Sequence, residues 1–244
     1  MSALFLLDRV TCDFHVGRDV VRALDAVSLE IAEGEYVSLT GPSGSGKSVL
    51  LHVLALLASP DSGSVHFLGR AIDRMHDEER AYLRSLRLGI VFQRPWMIDR
   101  LDLVHNIALP LRYRSVPPAE ALREARLALR NVGLEDRAHH RPGGLSGGQL
   151  QLAGLARALV GRPSVIVADE PTSALDEDSR TLALRLLHRA HREHGATVIH
   201  ATHDAAEARL ARRIVRLEAG KVVSDHPGDA SAHSLRPSGA ALVL

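Results

Sequence analysis

The sequence predicts an α/β fold, a mainly parallel sheet covered by helices on both faces and interrupted by a helical insertion. Three observations carry this. Short apolar, strand-like runs alternate with helical runs before residue 94 and again after residue 160. A glycine-rich turn joins the apolar run 36–40 to a helical run, a strand–turn–helix unit. Between residues 94 and 160 the strand pattern stops and three helical segments follow one another. A chain of 244 residues that is 45% hydrophobic and 24% charged has the composition of a soluble globular protein with a substantial core.

In order, residues 4–14, 27–31 and 36–40 read as strands, 47–58 as a helix, 59–63 as a turn and 65–68 as a strand. Residues 78–86 read as a helix and 89–92 as a strand. The insertion holds helical segments at 102–109, 118–132 and 147–160. Alternation returns with a strand at 165–168, a helix at 178–194, a strand at 196–201, a helix at 205–211, and strands at 213–218 and 221–224. Residues 1–226 are thus expected to form one domain, with a core of 1–93 and 161–226 and a helical subdomain of about 94–160. Residues 227–244, rich in Ser, Gly, Ala and Pro, are expected to be a flexible tail.

Charge and cysteine usage exclude some classes. The formal net charge is +1, so no global basic field recruits nucleic acid. The 14 histidines are scattered, and the lone Cys12 cannot form an internal disulfide, which fits a reducing compartment. The N-terminus lacks the basic and apolar regions of a signal peptide. The most apolar segment, 49–58, is broken by His52 and is too short to cross a bilayer. The expected location is therefore cytoplasmic, with any membrane contact made through a partner.

Gly41-Pro42-Ser43-Gly44-Ser45-Gly46-Lys47-Ser48 fits the phosphate-loop pattern G-x-x-x-x-G-K-[ST]. Glycines let the backbone wrap an anion with its N–H groups inward, and the following helix turns its positive end to the same phosphates. Lys47 would add a full charge at the β- and γ-phosphates, and the Ser48 hydroxyl would ligate Mg²⁺. The second motif is the apolar run 165–168 ending in Asp169 and Glu170. Ligands of parallel sheets bind beyond the carboxyl ends of the strands. Asp169 is expected to hold Mg²⁺ there and Glu170 to orient and polarise a water for attack on the γ-phosphate. An exposed acidic turn after a core strand has the same composition, and the phosphate loop tips the balance toward chemistry. The third motif is Leu145-Ser146-Gly147-Gly148-Gln149, a helix start with a good N-cap and two glycines, open to an anion.

This third motif resembles the signature of ABC-type ATPases, a family of P-loop NTPases, and the resemblance extends over residues 4 to about 224. Gln93 resembles the family's Q-loop glutamine, which contacts Mg²⁺ and the attacking water. Asp176 resembles the D-loop aspartate that links two sites across a dimer. His203 resembles the switch histidine at the γ-phosphate, and Phe14 stands where an aromatic, usually Tyr, stacks on adenine. Singly, such a His or Phe is more often structural; their joint order carries the weight. The resemblance implies a P-loop NTPase core with an N-terminal antiparallel β subdomain and a helical insertion. It implies ATP and Mg²⁺ as ligands, and a head-to-tail homodimer in which each ATP lies between the phosphate loop of one subunit and Ser146, Gly147, Gly148 and Gln149 of the other. It also implies integral membrane permease subunits as partners, with the chain peripheral on the cytoplasmic face of the cell membrane. The stretches around Phe92-Gln93, 106–111 and 140–142 look like the lipoprotein-releasing, macrolide-efflux and cell-division branch.

The sequence departs from that pattern at three places. Val49 stands where Thr or Ser is usual, keeping the N–H for a phosphate but losing a hydroxyl contact worth about 1 kcal/mol. Leu150 and Leu152 replace polar or basic residues, and Gly154 inside a helix costs about 1 kcal/mol relative to Ala. Two other readings compete with an export or lipoprotein-release ATPase. Soluble ABC proteins of translation or DNA repair carry two motif sets or a long coiled coil, and this chain has one set and no heptad run. A regulator signalling mechanically through a membrane partner would share every residue named above.

Overall fold

The computed structural model describes residues 3–17 and 19–228. Among these, ten strands form two sheets. The first is antiparallel, in the order β2-β1-β4-β5, from β1 (Ala3–Val16), β2 (Asp19–Ala32), β4 (Ser62–Phe67) and β5 (Arg70–Ala71). The second has the order β10-β9-β3-β8-β7-β6, from β3 (Tyr36–Thr40), β6 (Leu88–Val91), β7 (Val165–Asp169), β8 (Thr197–Ala201), β9 (Arg213–Glu218) and β10 (Lys221–Pro227). It is parallel except for the β9–β10 edge hairpin. The helices are α1 (Lys47–Leu54), α2 (Asp77–Arg87), α3 (Leu103–Tyr113), α4 (Pro118–Asn131), α5 (Gly147–Leu159), α6 (Glu177–His194) and α7 (Ala205–Ala208).

The parallel sheet lies between two apolar cores, and strand periodicity assigns its side chains to them. Val165 and Val167 of β7 face the core shared with α1 and the antiparallel sheet, while Ile166 and Ala168 face the core built from α3 to α6. On β8, Ile199 and Val198 divide in the same way. The helical insertion is the cluster of α3, α4 and α5, packed on the sheet through α5. On the α6 side of the sheet, His200 is fully buried beside the Ser38 hydroxyl and the Tyr36 ring, and burial pushes its pKa down to about 4.

Several boundaries differ from the sequence reading, each for a local reason. Strand β2 begins at Asp19, not at 27, because 19–26 is the largely exposed half of a hairpin held by backbone pairing to β1. Helix α1 stops at Leu54, short of 58: Leu56 takes φ +58°, and the N–H groups of Leu57 and Ala58 turn back to the His52 carbonyl. This is a left-handed helix stop without the usual glycine. Helix α3 continues to Tyr113 through Pro110, whose ring fits helical φ and removes a single N–H. Helix α7 ends at Ala208, and Leu210 and Ala211 close 3₁₀-type bonds to residues three back. Strand β4 starts at Ser62, and β6 spans Leu88–Val91. Strand β5 and the 3₁₀ turns at Ile72–Arg74, Glu135–Arg137 and Pro142–Gly144 are too short to leave a periodic signal. Of the expected tail, Pro227 belongs to β10, and residues 229–244 lie outside the described residues.

Candidate active site

The loop between β3 and α1 is shaped by close backbone contacts. A side chain at Gly41 (φ +142°) would place its Cβ 2.1 Å from the Leu217 carbonyl oxygen. At Gly46 (φ +101°) the Cβ would lie 2.4 Å from the Ala23 carbonyl oxygen. Only glycine satisfies both demands. The loop is further anchored by the Gly220 N–H, which donates to the Ser45 carbonyl at 3.1 Å. The Lys47 ammonium, nearly buried, donates to the Gly41 and Pro42 carbonyls at 2.9 Å each. Pro42, Ser43 and Gly44 are exposed on the rim. Val49 is half-buried and packs on the core of the antiparallel sheet, which accounts for an apolar residue there.

At the carboxyl end of β7, Asp169 hydrogen-bonds the Ser48 side chain, and burial raises its pKa against the lowering effect of that bond. The next residue, Glu170, sits at φ +43°, a left-handed conformation that costs a non-glycine residue about 1 kcal/mol or more. Its N–H donates to the Ala201 carbonyl at 3.1 Å, locking it to the end of β8. Two residues far away in sequence converge on its carboxylate. Gln93 Nε2 donates to Oε2 at 3.1 Å, and His203 Nδ1 lies 3.5 Å from Oε1. Thus Gln93, Glu170 and His203, picked from three separate stretches of sequence, form one cluster beside the Ser48–Asp169 pair. An all-oxygen set of hydroxyl, carboxylate and amide suits a hard cation such as Mg²⁺.

Phe14 is 49% exposed on β1, opposite Val21 in the hairpin whose Ala23 carbonyl rests on Gly46. Its ring is therefore exposed on the hairpin that packs on the loop. The Ser146–Gln149 segment forms a capping box at the start of α5: the Gln149 N–H donates to Ser146 Oγ at 3.3 Å and the Ser146 N–H to Gln149 Oε1 at 3.0 Å. A Cβ on Gly147 would meet nothing within 4 Å, so this helix start is open, whereas one on Gly148 would sit 3.3 Å from the Ala174 carbonyl oxygen. Asp176 caps α6 through the Ser179 N–H at 2.9 Å, which lowers its pKa.

Two further residues, neither given a role in the site by the sequence, hold the cluster in place. Gln151 is buried on α5, and its Nε2 donates to the Phe92 carbonyl at 3.3 Å and the Pro171 carbonyl at 3.2 Å. It ties the segments before Gln93 and after Glu170 to one helix. An amide among the apolar residues of α5 was the only signal. Gly154 is the second, since a Cβ there would lie 2.8 Å from Pro95 Cβ. Its glycine cost in the helix is offset by this close approach, which seats the 93–96 loop. Leu152 is buried in the helical core, so its substitution serves packing, while nothing in the structure explains Leu150, which is half-buried. Gly154→Ala gains about 1 kcal/mol of helix propensity and pushes on Pro95. Turnover is expected to fall on the order of 10- to 100-fold, with melting temperature and nucleotide affinity nearly unchanged. Steady-state kinetics beside a nucleotide titration checks this.

Comparison with known proteins follows the same lines. A family model described as ABC transporter matches residues 24–173. The macrolide export ATP-binding/permease protein MacB of Burkholderia lata is 42% identical over 236 residues, which are 97% of this chain and 34% of that protein. The chain thus spans about a third of the length of these curated relatives. The lipoprotein-releasing system ATP-binding protein LolD of Koribacter versatilis is 42% identical over 214 residues, 88% of this chain and 96% of that protein. Among solved structures, a dimeric post-hydrolysis state of the ATP-binding cassette MJ0796 bound to ADP and Pi superposes with a TM-score of 0.88 at 36% identity, covering 91% of this chain and 98% of that one.

Proposed function

The chain belongs to the ABC transporter family of ATP-binding proteins, and we propose that it is an ATP-hydrolysing subunit of a transport complex of the MacB and LolD kind, dimerising on ATP to drive a membrane permease. The observation that carries this reading is the convergence of Gln93 and His203 on the Glu170 carboxylate, next to the Ser48–Asp169 pair.

In the proposed cycle the backbone N–H groups of the glycine-rich loop and the positive end of α1 receive the phosphates. Lys47 exchanges its two loop carbonyls for the β- and γ-phosphate oxygens. Phe14 stacks on the adenine ring. Ser48 and Asp169, with Gln93 nearby, would hold Mg²⁺, which would supply positive charge to offset that of the phosphates. Glu170 aligns a water in line with the γ-phosphorus and takes its proton as the water oxygen bonds to phosphorus. The bond from the γ-phosphorus to the bridging oxygen breaks, and ADP leaves with that electron pair. Gln93 keeps the carboxylate aimed, and His203 steadies the γ-phosphate.

The other half of each site is assigned to a second copy. The open helix start at Ser146, Gly147, Gly148 and Gln149 would close over the γ-phosphate held by the partner, with Asp176 at the seam. The dimers recorded for the MJ0796 cassette support this arrangement. ATP then acts by binding the closed dimer better than the open one.

The permease would dock where the 93–96 loop meets the helical insertion. A groove of about 590 Å³ lies there, lined by Leu88, Ile90, Phe92, Leu109, Pro110 and Tyr113. Tyr113 and the neighbouring Trp96 are 71% and 79% exposed. No helix among the described residues is long and apolar enough to cross a membrane. The macrolide-export relatives are named ATP-binding/permease proteins, so the proposed occupant is an apolar segment of a permease, on the cytoplasmic face of the membrane. Export or lipoprotein release is the proposed direction of work. Phosphate release from ATP by the purified chain tests the catalytic part. Release with Mg²⁺ and its loss on chelation are expected, and release unaffected by chelation contradicts the metal assignment.

A further inference from the structure

A buried carboxylate on the short helix α7 has no place in the mechanism above. Glu207 is 4% exposed. It accepts a hydrogen bond from Thr172 Oγ1 at 2.7 Å and another from Thr202 Oγ1 at 2.9 Å. Thr172 lies two residues after Glu170, and Thr202 directly precedes His203. One side chain therefore ties the loop that carries the proposed base to the loop that carries the proposed γ-phosphate sensor. The Thr202 hydroxyl also accepts the Asp204 N–H at 3.1 Å, and Asp204 caps α7 through the N–H of Ala206 at 2.7 Å. Arg180, one turn into α6, completes the ring, 3.7 Å from Glu207 and 3.3 Å from Asp204. A polar cavity of about 70 Å³ lies among Glu170, Thr172, Arg180, His203 and Glu207, so the two loops have room to part if the tie is cut.

We infer that Glu207 is a positioning residue for ATP hydrolysis, setting the approach of His203 to Glu170 through Thr202 and Thr172. The inference rests on the ATPase reading above. Two loops and the first turn of α6 meet at this carboxylate, and its partners include none of the phosphate-loop residues, so its loss is expected to act on turnover and not on nucleotide capture. A burial of this kind costs free energy unless both oxygens are satisfied, and here both are. The 3.5 Å separation of His203 and Glu170 is the quantity it controls.

The test uses the full chain with Mg²⁺ and ATP, comparing wild type, Glu207→Ala, Glu207→Gln and Thr172→Val. Glu207→Ala should lower kcat on the order of 100-fold, the scale of a displacement of about 1 Å at a reacting group. KM and ATP affinity should stay within about twofold, since binding interactions are retained. Glu207→Gln keeps one acceptor and gains a donor that either threonine hydroxyl can accept, so it should recover most of the turnover. Thr172→Val, which cuts one tie and leaves the buried carboxylate its other partner, should fall between. Melting curves confirm that each variant is folded at the assay temperature. A parallel rise in KM and loss of affinity, or equal damage from Ala and Gln, would overturn the positioning role. If Glu207→Ala is inactive because it is unfolded, an unchanged kcat in Thr172→Val overturns it as well. Failure of the wild type to hydrolyse ATP would instead remove the reading on which it rests.

Discussion

Glu170→Gln is expected to bind ATP as tightly as the wild type and to hydrolyse it about 1,000-fold more slowly, within the range of a lost general base. The substitution keeps the shape of the side chain and an oxygen for the Gln93 amide, which now donates to Glu170 at 3.1 Å. It also keeps the left-handed backbone at φ +43°, because Gln is no more strained there than Glu. What disappears is the oxygen that takes the proton of the attacking water. Nucleotide capture is expected to be unaffected because Lys47 and the loop N–H groups, to which it is assigned, are unchanged. A variant that turns over ATP at the wild-type rate would show that the proton leaves by another route.

Lys47→Ala is expected to weaken ATP binding at least about 100-fold, from the loss of two charge-assisted hydrogen bonds of about 1.5–3 kcal/mol each. The fold should survive. Among the described residues the ammonium donates to the Gly41 and Pro42 carbonyls alone, Pro42 is exposed, and the loop keeps its close packing on Leu217 and Ala23 and its bond from Gly220. A nucleotide titration separates this variant from Glu170→Gln, since one loses binding and the other loses turnover. Undiminished affinity would place the triphosphate elsewhere.

The parts of the site that were legible in the sequence are those whose chemistry is local. A phosphate loop needs glycines, a lysine and a hydroxyl within eight residues, between a strand and a helix, and this pattern appears intact at 41–48. Asp169 and Glu170 stand out because a buried strand ends in two charges. The alternation of strands and helices likewise sets the parallel sheet and the helical insertion. What was not legible depends on tertiary contact. Gly154 reads as a weak helix residue until Pro95, about sixty positions earlier, is found against it. Gln151 is a lone amide among apolar residues until the Phe92 and Pro171 carbonyls are found against it. Glu207 belongs to no motif, and its threonine partners come from two different loops. The end of α1 was missed because the left-handed stop falls on Leu56, a residue type that gives no such signal. The early start of β2 was missed because a two-stranded ribbon with exposed side chains has little hydrophobic periodicity.

These distinctions define what a dimer adds. Within one chain, Gln93 and His203 gather around the Glu170 carboxylate, while Ser146 to Gln149 present an open helix start that leans on the Ala174 backbone. Neither half closes a triphosphate alone in the proposed cycle. The mass of Glu170→Gln in solution, measured by light scattering after size exclusion with and without Mg²⁺ and ATP, bears on this most directly. A shift from one copy to two on adding ATP, reversed when ADP replaces it, is the expected result. A single copy under every nucleotide condition, with ATP shown to be bound, would contradict the shared site.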